Sequence, residues 1–137
     1  MPYVNRQAWY RRHYYATNDL VYEDNTNEIH TSTTPVLYLW VNIVAGLAAN
    51  SIFRILINMR AEAGTAYFYI AKNGVQVGAE WTRNSNVFAW TAPQDLTFTT
   101  LTLGDTIEVW GYNPTAGKYA ELQGFKIEGY PNEFEKG

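Results

Sequence analysis

From residue 35 onward the chain alternates. "VLYLWVNI" (36 to 43) sets Leu37, Leu39, Val41 and Ile43 against Val36, Tyr38, Trp40 and Asn42, and "IFRILINMR" (52 to 60) sets Phe53, Ile55, Ile57 and Met59 against Arg54, Leu56, Asn58 and Arg60. A period of two marks half-buried strands. In "YIAKNGVQVGAE" (69 to 80) two such runs meet at Asn73-Gly74. Both residues tolerate positive φ, which predicts a two-residue hairpin with a type I′ turn. The register expected from that turn pairs Lys72 with Val75, Ala71 with Gln76, Ile70 with Val77, Tyr69 with Gly78, Phe68 with Ala79 and Tyr67 with Glu80. Phe68, Ile70, Val75, Val77, Ala79 and Trp81 then share a core face. Tyr67 and Tyr69 fall on the other.

Further strand-like runs follow at 86 to 91, 95 to 103, 105 to 112 and 119 to 130. Gly104-Asp105 and "NPTAGK" read as turns, and Gly124 as a bulge. Seven or eight short strands separated by turn chemistry predict an all-β sandwich or barrel. Residues 1 to 30 lack either period. Arg6, Arg11 and Arg12 make residues 1 to 15 basic, and Asp19, Glu23, Asp24 and Glu28 make 19 to 28 acidic. The expected organisation is an extended N-terminal arm over 1–30 and a β-sandwich domain over 31–137. The arm is rich in aromatics, unlike a simple disordered tail, and so is expected to lie on a surface.

Composition narrows the classes. A chain of 137 residues is long enough for one ordinary core. No apolar run approaches the roughly 18 to 20 residues of a membrane span, and the N-terminus lacks the apolar stretch of a signal peptide. There is no cysteine, which removes disulfides and Cys-based zinc sites. A net charge of −3 gives no basic footprint for nucleic acid.

Candidate catalytic chemistry is sparse. His13 and His30 are the only imidazoles, both in the arm and without a partner at recognisable spacing, so they read as exposed or interface histidines. Asp105 reads as turn chemistry and Glu108 as a solvated strand position. A carboxylate pair drawn from Asp95, Asp105, Glu108 and Glu121 is the one enzymatic arrangement that spacing leaves open. No phosphate loop or metal-ligand cluster is present, and no cofactor is expected. The expectation is a protein that is not an enzyme.

Strand alternation exposes a second pattern. With Leu37, Leu39, Ile107 and Val109 facing the core, Tyr38, Trp40, Tyr67, Tyr69, Trp110 and Tyr112 point outward from three strands. Three explanations stand: an oligomer interface, a platform on which rings stack on sugars, or ordinary half-buried strand aromatics partly covered by the arm.

The order "FRILINMRAEAGTAYFYIAKNGVQVG" (53 to 78), "DLTFTTLTLGDTIEVWGY" (95 to 112) and "GFKIEG" (124 to 129) resembles the C1q/TNF-like jelly-roll domains of phage and other viral structural proteins. The resemblance implies an eight-stranded antiparallel jelly roll that assembles as a homotrimer. It implies a virion structural protein, made in the host cytoplasm and carried on the capsid exterior. With no shaft or repeat before the domain, the implied role is a capsid decoration (cement) protein that clamps neighbouring major capsid subunits. The alternative is a receptor- or carbohydrate-binding head of a fibre or tail protein, with surface glycans as ligand. On the decoration reading Tyr3, Arg6, Trp9, Tyr10, Arg11, Arg12, Tyr14 and Tyr15 anchor the arm on the capsid, and the six outward aromatics form the trimer interface. Neither nucleic acid nor membrane is an expected partner.

Overall fold

The computed structural model describes residues 13–44, 47 and 49–132. Among these, ten strands run in chain order: β1 (His13–Asp24), β2 (Glu28–His30), β3 (Val36–Asn42), β4 (Ser51–Ala61), β5 (Ala66–Lys72), β6 (Val75–Arg83), β7 (Ala89–Trp90), β8 (Gln94–Phe98), β9 (Thr106–Tyr112) and β10 (Ala120–Asn132). They form two antiparallel sheets. One has the order β1-β10-β4-β7, with β2 also on β10 and β8 also on β4; the other has the order β3-β9-β5-β6. This is an all-β, two-layered jelly-roll sandwich. Every run expected from residue 36 onward contains a strand, although the run at 86 to 91 is strand only at Ala89–Trp90 and the run at 95 to 103 ends as a strand at Phe98.

The core lies between the sheets. Strand β4 buries Phe53, Ile55, Ile57 and Met59 in strict alternation, meeting Phe68 and Ile70 of β5, Ile107 and Val109 of β9, and Leu122, Phe125 and Ile127 of β10. Each such side chain contributes roughly 1.5–3 kcal/mol by leaving water.

Three irregularities set which side chains reach that core. On β10, Leu122 faces Met59 but Gly124 faces Asn58, so one extra residue is inserted at the expected bulge. The inserted residue changes the phase of the alternation, and thereby turns Phe125 and Ile127 inward together with Leu122. On β3 a similar shift lies between Leu37 and Leu39. Here the expectation fails: Tyr38 is 5% exposed and sits in the core, while Leu37 is turned out. In the hairpin, Asn73 and Gly74 take φ of 50° and 84°, and the expected pairs from Lys72–Val75 to Ile70–Val77 form. Beyond them the register slips, so that Phe68 pairs with Trp81 and Tyr67 with Thr82. Gly78 absorbs the slip at φ 82°, where a Cβ would stand 2.4 Å from Leu96 Cδ2. Val75 and Ala79, expected in the core, are exposed.

The second half of the expected arm is also corrected. Residues of β1 pair along β10, His13 opposite Asn132 and Asp24 opposite Phe125, and β2 continues the pairing from Glu28 to His30. The expected arm residues Tyr14 and Tyr15 are thus held by backbone pairing in a sheet. Tyr22 packs against the core, edge-on to Phe125 at 6.1 Å. Two register shifts interrupt β1, between Tyr15 and Leu20 and between Leu20 and Tyr22, which is why no clean period marks it in the sequence. Tyr3, Arg6, Trp9, Tyr10, Arg11 and Arg12 lie outside the described residues.

Candidate functional site

Strands β3, β9, β5 and β6 lie side by side, and their register sorts the outward side chains into rows. Tyr112, Tyr67 and Thr82 form one row; Leu37, Trp110 and Tyr69 the next; Trp40, Glu108, Ala71 and Gln76 a third; Asn42 and Thr106 the last. Five of the six aromatics expected on a common outer face are therefore brought together: Trp40, Tyr67, Tyr69, Trp110 and Tyr112. Tyr38 is not among them. The rings of Tyr67 and Tyr112 stack at 5.0 Å with 13° between planes. Trp40 is the most open, at 55% exposure.

Glu108 belongs to this face and is not solvated as expected, being only 9% exposed. Its Oε1 accepts from the Gly74 N–H at 2.9 Å and from the Trp110 indole at 2.8 Å, and its Oε2 accepts from Thr106 Oγ1 at 2.5 Å. These bonds fix the Trp110 ring and tie the hairpin turn to β9. Charge-assisted bonds of this kind are roughly twice as strong as neutral ones. The signal missed in the sequence is the spacing Thr106-x-Glu108-x-Trp110, which puts two donors and one acceptor on one face of a strand.

A second carboxylate stands across β5. The hydroxyl of Tyr112 donates to Glu80 Oε2 at 3.0 Å. Partial burial, followed by the bond to Glu80 and its charge, pushes the Tyr112 hydroxyl up to about 12. The Tyr69 hydroxyl is pushed up too, by burial first and then by Glu80 and Glu108.

The other acids considered for a catalytic pair all have partners. Asp95 takes a two-pronged bond from Arg54 at 2.9 and 3.1 Å, which holds its carboxyl below the usual range. Glu121 is buried against Arg60 at 2.7 Å, whose guanidinium lies 4.4 Å over the Phe88 ring. Asp105 accepts from the Thr102 N–H at 2.8 Å and from Asn73 Nδ2 at 3.0 Å, the turn chemistry expected of it. His30 packs edge-on against Tyr38 at 4.6 Å and is half-buried. Among the described residues no three His, Asp or Glu side chains come together as a metal site.

No family model matches the chain, and no curated protein matches it. Solved structures do. The CBM36-1 domain of a multidomain xylanase from the hindgut metagenome of Trinervitermes trinervoides superposes with a TM-score of 0.49 at 15% identity, covering 80% of this chain and 98% of that one. A carbohydrate-binding module CBM36 in complex with calcium and xylotriose superposes with a TM-score of 0.45 at 15% identity, covering 75% of this chain and 99% of that one.

Proposed function

We propose that the chain is a non-catalytic binding module whose outer face on the β3-β9-β5-β6 sheet takes a carbohydrate. The observation that carries this reading is the gathering of Trp40, Tyr67, Tyr69, Trp110 and Tyr112 on one face, with Trp40 55% exposed. The apolar C–H face of a pyranose stacks on such rings, and aromatic side chains offer roughly 150–250 Å² each. Strand backbones position the rings, and the Glu108 bond holds that of Trp110 before a ligand arrives, which reduces the ordering cost of binding. Tyrosine hydroxyls, Gln76 and Glu80 offer donors and acceptors to sugar hydroxyls.

The test is calorimetric titration of neutral oligosaccharides, with Trp40→Ala and Trp110→Ala as controls. Dissociation constants of about 1 mM or tighter, corresponding to roughly −4 kcal/mol, are expected, with a loss of about tenfold or more in each variant. Absence of heat with every neutral oligosaccharide sinks the reading.

A second reading, self-association through the same face, is favoured by one observation. Leu37 and Trp40 are 36% and 55% exposed on β3, which is one of the two edge strands of its sheet. Edge strands invite pairing with another copy. A homotrimer that dissociates on Trp40→Ala, seen by sedimentation equilibrium, supports it; a monomer at all concentrations removes it. The capsid clamp rests chiefly on Tyr3, Arg6, Trp9, Tyr10, Arg11 and Arg12, which lie outside the described residues, while residues 13–24 pair with β10.

A further inference from the structure

The binding face is unequal in charge. Its outward rows hold one carboxylate, Glu108, and among the described residues no lysine or arginine; a second carboxylate, Glu80 of β6, is joined to them through the Tyr112 hydroxyl. The two bases on these four strands are engaged elsewhere. Lys72 reaches Thr100 Oγ1 at 2.9 Å and Asp105 at 3.7 Å, and Arg83 donates to the Val87 carbonyl at 2.7 Å. Strands β3 and β9 carry neither lysine nor arginine.

The roles of the two acids differ. Glu108 is only 9% exposed and already accepts three hydrogen bonds, none from a cation. It contributes a fixed negative potential beneath the rings. Glu80 is exposed, and its one described partner is the Tyr112 hydroxyl. It is the carboxylate a ligand reaches. The Tyr69 and Tyr112 hydroxyls, raised first by burial, are raised further by Glu80, and Tyr69 also by Glu108.

Aromatic faces attract cations through the ring quadrupole, and a carboxylate beside them adds a direct partner. Together they suit a ligand with a flat apolar surface and a positive charge, and they repel uronates, sulfates and phosphates. We propose that the face prefers glycans with free, protonated amino groups, with one unit of an oligomer stacked on Trp40 and Trp110 and the ammonium group of another unit directed at Glu80. This rests on the carbohydrate reading above and refines it by charge.

The experiment compares three probes on the full-length protein: oligomers of β-1,4-linked glucosamine, their fully N-acetylated counterparts, and oligogalacturonate. Glucosamine oligomers are expected to bind several-fold tighter than the acetylated ones, and oligogalacturonate not at all. The preference should shrink with added salt, because an ion pair at an exposed carboxylate such as Glu80 is weakened by salt. It should shrink again in Glu80→Gln, an exposed substitution that leaves Glu108 and the hairpin intact. Equal or tighter binding of the acetylated oligomers overturns this inference while leaving the carbohydrate reading standing. Binding of glucosamine oligomers that survives Trp40→Ala and Trp110→Ala unchanged overturns it as well, since charge alone then explains adsorption. Failure of both the charged and the acetylated oligomers to bind overturns this inference, and the carbohydrate reading then falls only if every other neutral oligosaccharide fails too.

Discussion

The phenol of Tyr38, on β3, donates a 2.7 Å hydrogen bond to the carbonyl oxygen of Ala120, on β10 of the opposite sheet. It joins the two layers through the core. The ring is edge-on to Phe68 at 4.8 Å and to His30 at 4.6 Å, so the residue packs on both faces while its polar end is satisfied.

Tyr38→Phe keeps the packing and removes the bond, and a net loss of about 1 kcal/mol is expected. Tyr38→Ala removes both and should cost about 3–5 kcal/mol. Urea unfolding measures the two, and neither Tyr38→Phe nor wild type should differ in ligand binding, because this side chain is absent from the outer face.

Gly111 exists for Phe68. A Cβ at Gly111 would stand 2.4 Å from Phe68 Cδ1 and Cε1, so Gly111→Ala forces the ring aside at a cost of about 1–3 kcal/mol. Adding Phe68→Leu should make Gly111→Ala markedly less harmful than it is alone. A double-mutant cycle by urea unfolding reads the coupling; strict additivity would show that the clash is relieved elsewhere.

Alkaline pH should loosen the fold. The Tyr112 hydroxyl titrates at about 12 in the folded protein and near 10 when unfolded. Protons are then held more tightly by the folded state, so its contribution is complete below about pH 10 and is lost as pH rises toward 12. Burial raises the Tyr38 hydroxyl as well, which adds to the same trend. Tyr112→Phe should flatten the dependence of unfolding midpoint on pH in this window.

At the acid end the sign reverses. The Thr102 backbone N–H, followed by the Asn73 side chain, holds the Asp105 carboxyl below the ordinary carboxylate range. Its contribution is present above the ordinary value of about 3.9 and is lost as pH falls through the lower folded value. Asp105→Asn should weaken the acid dependence of thermal unfolding, and an unchanged acid limb would assign that dependence to other carboxylates, such as Asp95.

The sequence made β4 and the Asn73-Gly74 turn legible because each is local: one is an unbroken alternation and the other a dipeptide with a single favoured geometry. Tyr38 was misread because the inserted residue on β3 lies between hydrophobic neighbours, where a change of phase leaves no mark in the pattern. On β10 the corresponding change was visible, since Gly124 interrupts the run. Glu108 was read as solvated because two of its donors are local but the third, Gly74 N–H, comes from a different strand pair and depends on tertiary placement. For the arm, two register breaks in β1 erased the period that would have named it a strand. Of the candidate site, five aromatics followed from alternation alone, whereas its charge followed only from knowing which way Lys72 and Arg83 turn.

The pairing of His13 with Asn132 has a mechanical consequence. Tension entering at residue 13 and leaving at residue 132 meets the β1/β10 ladder at one end, so its hydrogen bonds open in succession, starting with the short segment before the register break at Tyr15. A ladder loaded lengthwise shares force among all its bonds, but this one is peeled. If the chain is carried between neighbours under strain, β1 yields first, and the sandwich that supports the aromatic face is spared until it does.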